Sequence, residues 1–141
     1  MTRVIQFADG HTSASAPSLE NAGQEVYLIN DNVTSFTDIT GLTFDGYTSA
    51  FIGYELERIT SDNTYRQTGE MIVFKDDNDV YTLTLAGFQG NDMILETGSI
   101  IHESQVLLSI DTADGQISYK SGDMTGISYT GKLKVQVTRI L

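Results

Sequence analysis

The stretch 49–74 constrains the fold most, because its apolar residues alternate with polar ones on either side of a short polar turn. In the first half, Tyr54 and Leu56 fall on one side of an extended chain, and Glu55 and Glu57 fall on the other. A period of two residues is typical of a half-buried antiparallel strand. We therefore predict a strand whose core side carries Tyr54 and Leu56.

The turn of this stretch, residues 61–64, contains Asp and Asn, whose side chains bond to the nearby backbone in turns. Beyond it, Met71 and Val73 alternate with Glu70, Ile72 and Phe74, so the chain returns as a second strand. Because large residues occur on both sides of this pair, we predict that it lies near the middle of a sheet.

Short runs of the same kind continue through the rest of the chain and predict eight to ten strands, with turn residues spaced by about 8–12 positions. No segment has a helical pattern, and the chain has one proline. The expected fold is an all-β antiparallel β-sandwich, jelly-roll-like, formed by residues 25–141 as a single domain. Residues 1–24 are rich in small side chains and are predicted to form an extended N-terminal arm or loop segment.

The composition excludes several classes of function. A net charge of −11 argues against nucleic acid as a partner, because phosphate binding needs clustered Lys and Arg. The absence of cysteine excludes disulfides, thiolate metal sites and thiol catalysis. No run approaches the roughly 20 apolar residues of a membrane span. The first residues lack the apolar core of a signal peptide, so we expect a soluble protein without an export signal and without a membrane partner.

The charge is unevenly distributed along the chain. Residues 1–115 carry four basic and 18 acidic side chains, whereas residues 116–141 carry four basic ones and only Asp123 as an acid. One interpretation is that an acidic surface keeps the protein soluble. The other is that the basic terminal strand docks against an acidic neighbour, such as another copy of the chain. The basic residues of this segment are Lys120, Lys132, Lys134 and Arg139.

Two carboxylates on one strand face, Glu55 and Glu57, have the residue types of a glycosidase pair, but nothing in the sequence shows a cleft, and a solvated strand face is the favoured interpretation. Arg58 and Arg66 are expected to form surface ion pairs with them across the turn. His11 lies near Asp9 and Ser13, yet no Gly-x-Ser-x-Gly elbow accompanies it. We therefore predict no catalytic residues, no cofactor and no enzyme activity.

Metal binding has two candidate positions. His102 has no second histidine nearby in sequence, which argues against a transition-metal site. The run 76–79, Asp-Asp-Asn-Asp, offers oxygen ligands for calcium, but it lacks the glycine and distal glutamate of a calcium loop. A hairpin turn is the simpler interpretation, and no metal is predicted.

Several tyrosines fall within or beside predicted strands, next to Asp and Asn residues. Tyr65, Tyr81 and Tyr129 are candidate glycan-binding residues, because aromatic rings can stack on sugars. The alternative is that the rings pack in the core with their hydroxyl groups at its edge.

The pattern of residues along these strands also resembles that of a known protein family. The matching positions are Ser49, Ala50, Ile52, Tyr54 and Arg58, then Gly69 and Ile72, then Ile117, Tyr119 and Ser121, and finally Leu133, Val135 and Arg139. Because of these matches, the segment from about residue 40 to the end resembles a domain of virion structural proteins in tailed bacteriophages.

The resemblance implies a β-sandwich subunit of a phage virion, made in the bacterial host cytoplasm and commonly a homotrimer. Its role would be that of a capsid decoration (cement) protein or a small tail or fibre subunit, bound to major capsid or tail proteins. Candidate partner-binding residues are Lys132, Lys134, Arg139 and His11. The alternative is a carbohydrate-binding or receptor-binding module that recognises a host-surface glycan, and an enzyme using Glu55 and Glu57 ranks third.

Overall fold

The computed structural model describes residues 24–90, 93–95 and 102–141. The predicted N-terminal arm, apart from Gln24, and His11 within it lie outside these ranges. Every helix or strand assigned within them is a β-strand. No helix in the described part of the chain is long and apolar enough to cross a membrane.

The described residues contain nine strands. In chain order they are β1 (Glu25–Leu28), β2 (Thr37–Thr43), β3 (Ser49–Ile59), β4 (Thr64–Lys75), β5 (Tyr81–Gln89), β6 (Met93–Leu95), β7 (Val106–Ile110), β8 (Gln116–Ser121) and β9 (Thr130–Ile140).

The strands form two sheets that pack face to face. The first has five strands in the order β1-β9-β3-β4-β5, and the second has four in the order β2-β8-β7-β6. This confirms the predicted all-β sandwich. The jelly-roll-like strand order is not confirmed, because β3, β4 and β5 follow one another as a meander and β6 pairs with β7 in parallel.

The predicted pair of long strands is the centre of the five-stranded sheet. β3 and β4 pair over their whole length, from Ser49 opposite Phe74 to Ile59 opposite Thr64. On its other side β3 pairs with β9, so β3 has a neighbour on both edges. Tyr54 and Leu56 are buried, as the alternation predicted.

The core lies between the two sheets and draws on both. Alternate side chains of each strand point inward because successive residues of a strand face opposite ways. Each fully buried aliphatic side chain contributes roughly 1.5–3 kcal/mol to folding. The five-stranded sheet contributes Ile52, Leu56, Met71, Val73 and Leu133, and the four-stranded sheet contributes Ile39, Val106, Leu108 and Ile117.

The expected surface ion pair of Arg58 is wrong, because Arg58 is fully buried at one end of the core. Its guanidinium donates to the Tyr129 hydroxyl, to a carboxylate oxygen of Asp31 and to the backbone carbonyls of Glu103 and Gly122, at 2.7–3.1 Å. The parity of β3 explains the error, since residue 58 faces the same way as Tyr54 and Leu56. Arg58 therefore ties loops around the sandwich end to β3.

A buried amide on β4 holds the short strand β6 against the five-stranded sheet. The Gln67 side chain accepts the backbone N–H of Met93 at 2.8 Å and donates to its carbonyl at 2.9 Å. The same amide nitrogen donates to the Tyr54 hydroxyl at 2.7 Å. Gln67 thus satisfies both backbone groups of Met93 in a position where water has little access.

Candidate functional site

One surface feature of the described residues lies on the side of the five-stranded sheet that faces away from the core. It is a groove of about 440 Å³ that runs across β9, β3, β4 and the end of β5. We call it the outer groove. Its lining residues are Glu55, Leu56, Glu57, Arg66, Gln67, Thr68, Gln89, Gly90, Lys132 and Lys134.

The register of the strands brings the charged residues of the groove together. Glu57 on β3 lies directly opposite Arg66 on β4 and Lys132 on β9. One step along the sheet, Glu55 lies opposite Thr68 and Lys134 in the same way. Residues paired across antiparallel strands point to the same face, so these positions form two cross-strand rows on the groove floor.

In the first row, a carboxylate is shared by two cations. Glu57 accepts a hydrogen bond from the Arg66 side chain at 2.8 Å, and the Lys132 ammonium lies 3.7 Å from its other oxygen. The hydrogen bond from Arg66 is the largest influence on Glu57 and lowers its pKa. Burial opposes this shift, and the charges of Arg66 and Lys132 add to it. Glu57 is therefore held in its ionised form.

In the second row, the opposite charges lie on neighbouring strands without pairing. Glu55 and Lys134 face each other across β3 and β9, yet neither belongs to an ion pair among the described residues. The Glu55 side chain is exposed and that of Lys134 is half-buried. One carboxylate and one ammonium group are therefore open to a bound molecule.

A second hollow adjoins the outer groove and extends it toward the edge strand β1. It has a volume of about 450 Å³ and shares Glu57 and Lys132 with the groove. Its wall includes Leu28, which is 77% exposed, and the half-buried ring of Tyr129. The combined surface therefore has charged groups at its centre and an apolar residue at its margin.

Glu57 does not have the environment of the proton donor of a glycosidase pair. Such enzymes need one carboxyl group whose pKa is raised, so that it can donate a proton to the leaving group. The pKa of Glu57 moves in the opposite direction, because two cations stabilise the charged form. The arrangement suits charge-assisted binding, in which Arg66 and Lys134 can donate to an acidic group.

The structure separates the candidate partner-binding residues. Lys132 and Lys134 both line the outer groove. Arg139 lies elsewhere on the same sheet, where its guanidinium sits 4.2 Å from the ring centre of Phe51. His11 lies outside the described residues. The predicted pairing of Arg66 with Glu57 is confirmed.

The three candidate glycan-binding tyrosines do not form a common platform. The prediction is wrong for Tyr81, because its ring is buried and its hydroxyl donates to the carbonyls of Phe44 and Tyr47. Tyr65 is half-buried and donates to the Glu103 carboxylate at 2.9 Å. Tyr129 binds Arg58 through its hydroxyl oxygen. A glycan contact of Tyr65 or Tyr129 stays a prediction.

The acidic run 76–79 forms the tight turn between β4 and β5. A carboxylate oxygen of Asp76 accepts the backbone N–H groups of Asn78 and Val80, and the Lys75 ammonium lies 3.8 Å from Asp79. Within the described ranges, no group of three or more His, Asp or Glu side chains is placed to hold a metal ion. The hairpin-turn interpretation therefore accounts for this run.

Sequence reasoning missed the two buried polar side chains that support the groove from below, Arg58 and Gln67. The signal was available in both cases. Arg58 has the parity of Leu56 on β3, and Gln67 has the parity of Met71 on β4. Parity applied to every residue of a strand, polar ones included, would have placed both of them inside.

No protein-family model and no curated protein matches this sequence. Among solved structures, the chain is similar to the tailspike protein of an Acinetobacter phage, with 14% sequence identity and a TM-score of 0.42. The similarity covers 82% of this chain and 22% of the tailspike chain. The chain thus spans less than a quarter of that protein, and a similarity this distant carries no argument about function.

Proposed function

We propose that this chain is a non-enzymatic structural component of a bacteriophage virion that binds a neighbouring virion protein through the outer groove. The role is that of a capsid decoration protein or of a small tail or fibre subunit. The sequence resemblance supports the virion setting, and it also implies a homotrimer. The outer groove supports the binding role.

A single observation carries the binding proposal, namely the two cross-strand rows of charge on a well-supported sheet. Lys134 has no ion pair among the described residues, and Arg66 is 68% exposed beyond its contact with Glu57. These cations lie on a chain whose net charge is −11. The groove therefore fits an acidic segment of a neighbouring protein, since complementary charge favours and orients association.

The floor of the groove is also stiff enough to hold a fixed charge pattern. β3, which carries Glu55 and Glu57, is paired along its length with β4 and β9. Beneath it, Arg58 and Gln67 are buried and hydrogen-bonded. A preorganised surface loses less conformational entropy on binding than a loop would.

The test has two parts. Mass spectrometry of purified virions should detect the chain, and its absence from them would overturn the virion role. Lys134→Glu should then lower incorporation into particles, because it turns a groove cation that has no ion pair among the described residues into an acid. Lys120→Glu is the matched control, since it makes the same charge change on the four-stranded sheet. Equal incorporation of both variants would show that the outer groove is not the interface.

A carbohydrate-binding or receptor-binding module is the second candidate. Glu55, Lys134, Thr68 and Gln89 place a carboxylate, an ammonium, a hydroxyl and an amide on one concave surface, which can bond to the hydroxyl groups of a host-surface glycan. A glycan array should then give a signal that Glu55→Gln weakens. A blank array at high protein concentration would remove this candidate and leave the virion proposal unchanged.

A further inference from the structure

The edges of the two sheets differ in how well they are protected against pairing with other chains. Natural sheets block exposed edges with short strands, charged residues, proline or irregular pairing. β6 and β1 have only three and four residues, and β2 has an irregular register between Asp38 and Thr43. β5 is an edge strand of nine residues, YTLTLAGFQ, with neither a charged residue nor proline, and its pairing with β4 is irregular only beyond Ala86.

The backbone of β5 has groups that point away from the sheet. In an antiparallel pair, alternate residues bond to the neighbouring strand and the others direct their N–H and C=O groups outward. Tyr81 belongs to the outward set, because its N–H donates to the carbonyl of Thr112 instead of to β4. Leu83 and Leu85 follow at the same parity. Within the described ranges, no residue outside β4 bonds to their backbone groups.

The charge distribution favours another copy of this chain as the partner at this edge. With a net charge of −11, two copies repel each other over most of their surfaces. Along β5 this repulsion is reduced, since the strand itself is uncharged and acidic groups lie only toward its ends, at Glu70 opposite Ala86 and in the turn 76–79. The β4 residues beside Thr84 and Thr82 are Ile72 and Phe74, which are apolar.

We propose that β5 pairs antiparallel with β5 of a second copy, so that the two five-stranded sheets become one continuous sheet. The two-fold register places Leu83 of one copy opposite Leu85 of the other. Each such pair exchanges both of its hydrogen bonds, which satisfies the outward N–H and C=O groups of both residues. Thr84 then lies on the two-fold axis, opposite the same residue of the second copy.

This register also suits the side chains. The exposed Thr84 meets its counterpart in a non-hydrogen-bonded pair, where side chains come closest, and threonine pairs are favourable there. Leu83 and Leu85 point toward the core side and are only half-buried in one copy. Pairing covers more of their surface. The bulge beyond Ala86, where the register with β4 shifts, sets the limit of the flat segment.

A two-fold contact joins copies in pairs, which contrasts with the homotrimer that the resemblance implies. The contact lies on the side of β5 away from β4, which no other strand of the described residues pairs with, and leaves the outer groove open. Its failure in an experiment would therefore not affect the binding role proposed for the groove, and the failure of that role would not affect the contact.

Cysteine cross-linking tests both the contact and its register, because the chain has no cysteine of its own. Paired residues of the non-hydrogen-bonded kind lie about 4.5 Å apart between Cα atoms, which a disulfide can span. Thr84→Cys should therefore give a covalent dimer when oxidised glutathione is the oxidant. Thr82→Cys is the matched control on the same strand, since its two copies would lie about 13 Å apart in this register.

Light scattering on the unmodified chain should give the mass of two copies at high protein concentration. Thr84→Lys should halve that mass, because it places like charges opposite each other on the axis. Thr40→Lys, a matched change on the edge strand β2, should leave the mass unchanged. A monomeric or trimeric wild type would overturn the proposal, and so would equal cross-linking of the two cysteine variants.

Discussion

The two faces of β3 carry charged residues that are neighbours in sequence but differ in their exposure and in their bonding partners. Glu57 points outward to the groove, where its carboxylate forms ion pairs with Arg66 and Lys132 near solvent. Arg58, the next residue, points inward and is fully buried. Its hydrogen-bonding groups are occupied by Asp31, Tyr129 and two backbone carbonyls.

The difference shows how burial decides what a charge can do in a protein. A pair near solvent gains little, because water competes for both partners, and so it can exchange a partner for a ligand. A buried guanidinium without partners would cost several kcal/mol, so its partners are fixed once the protein folds. The inner face therefore stabilises the sandwich, and the outer face is available for binding.

The largest effect is expected from Arg58→Ala. The change leaves a cavity and removes the donors to Asp31 and to the carbonyls of Glu103 and Gly122. Loss of one partner of a buried ionic network costs about 3–5 kcal/mol. Urea denaturation should show that decrease in the free energy of unfolding.

The control for Arg58→Ala is Arg66→Ala, the same substitution on the exposed face. Its side chain is 68% exposed, so we expect a loss below about 1 kcal/mol. Similar losses in the free energy of unfolding for the two variants would mean that burial does not distinguish the contributions of the two arginines.

Tyr54→Ala should come close to Arg58→Ala in size. The ring is buried between the sheets, and truncation of a buried aromatic residue costs about 3–5 kcal/mol. Tyr54→Phe keeps the ring and removes only the acceptor of the Gln67 amide, so we expect a loss of about 0.5–1.5 kcal/mol. An unchanged melting temperature for Tyr54→Ala would mean that the Tyr54 side chain does not face the core.

Gln67→Leu is expected to have an intermediate effect. The shape is nearly kept, but the N–H and C=O of Met93 lose their partners in a buried place. Unsatisfied buried backbone groups cost about 1–3 kcal/mol. Relative to wild type, hydrogen exchange should accelerate more in β6 than in β3. An equal acceleration of exchange in β3 and β6 would contradict a local role for Gln67.

The sequence predicted the elements that local periodicity determines. The β3–β4 hairpin, its turn and the burial of Tyr54 and Leu56 follow from alternation over long runs. Between β7 and β8 the chain turns at Asp114-Gly115, where Gly115 has a positive φ of 71°, which glycine adopts readily. Arg58 was misplaced because its charge was given more weight than its position in the run.

Long-range pairing could not be read from local patterns. The order β1-β9-β3-β4-β5 brings Lys132 and Lys134 beside Glu57 and Glu55, although about 75 residues separate them along the chain. Alternation places each residue on a face and does not say which strand lies next to it. For this reason the residues of the outer groove were predicted as separate charges and not as one site.

The smallest effect concerns the outward face itself and its dependence on pH. The pKa of Glu57 is lowered from its ordinary value near 4.5, so its contribution to stability is complete above that value. The contribution disappears as the pH falls through the lower pKa of the folded state. Glu57→Gln should therefore destabilise the protein by a few tenths of a kcal/mol to about 1 kcal/mol at neutral pH, and the difference from wild type should vanish in acid. Glu55→Gln should destabilise the protein less at neutral pH, because Glu55 has no ion pair in the part of the chain that the structure describes. A difference for Glu57→Gln that grows as the pH falls would mean that folding raises the pKa of this carboxyl group. The outer face would then resemble the inner one, where burial and not solvent determines the energy of a charge.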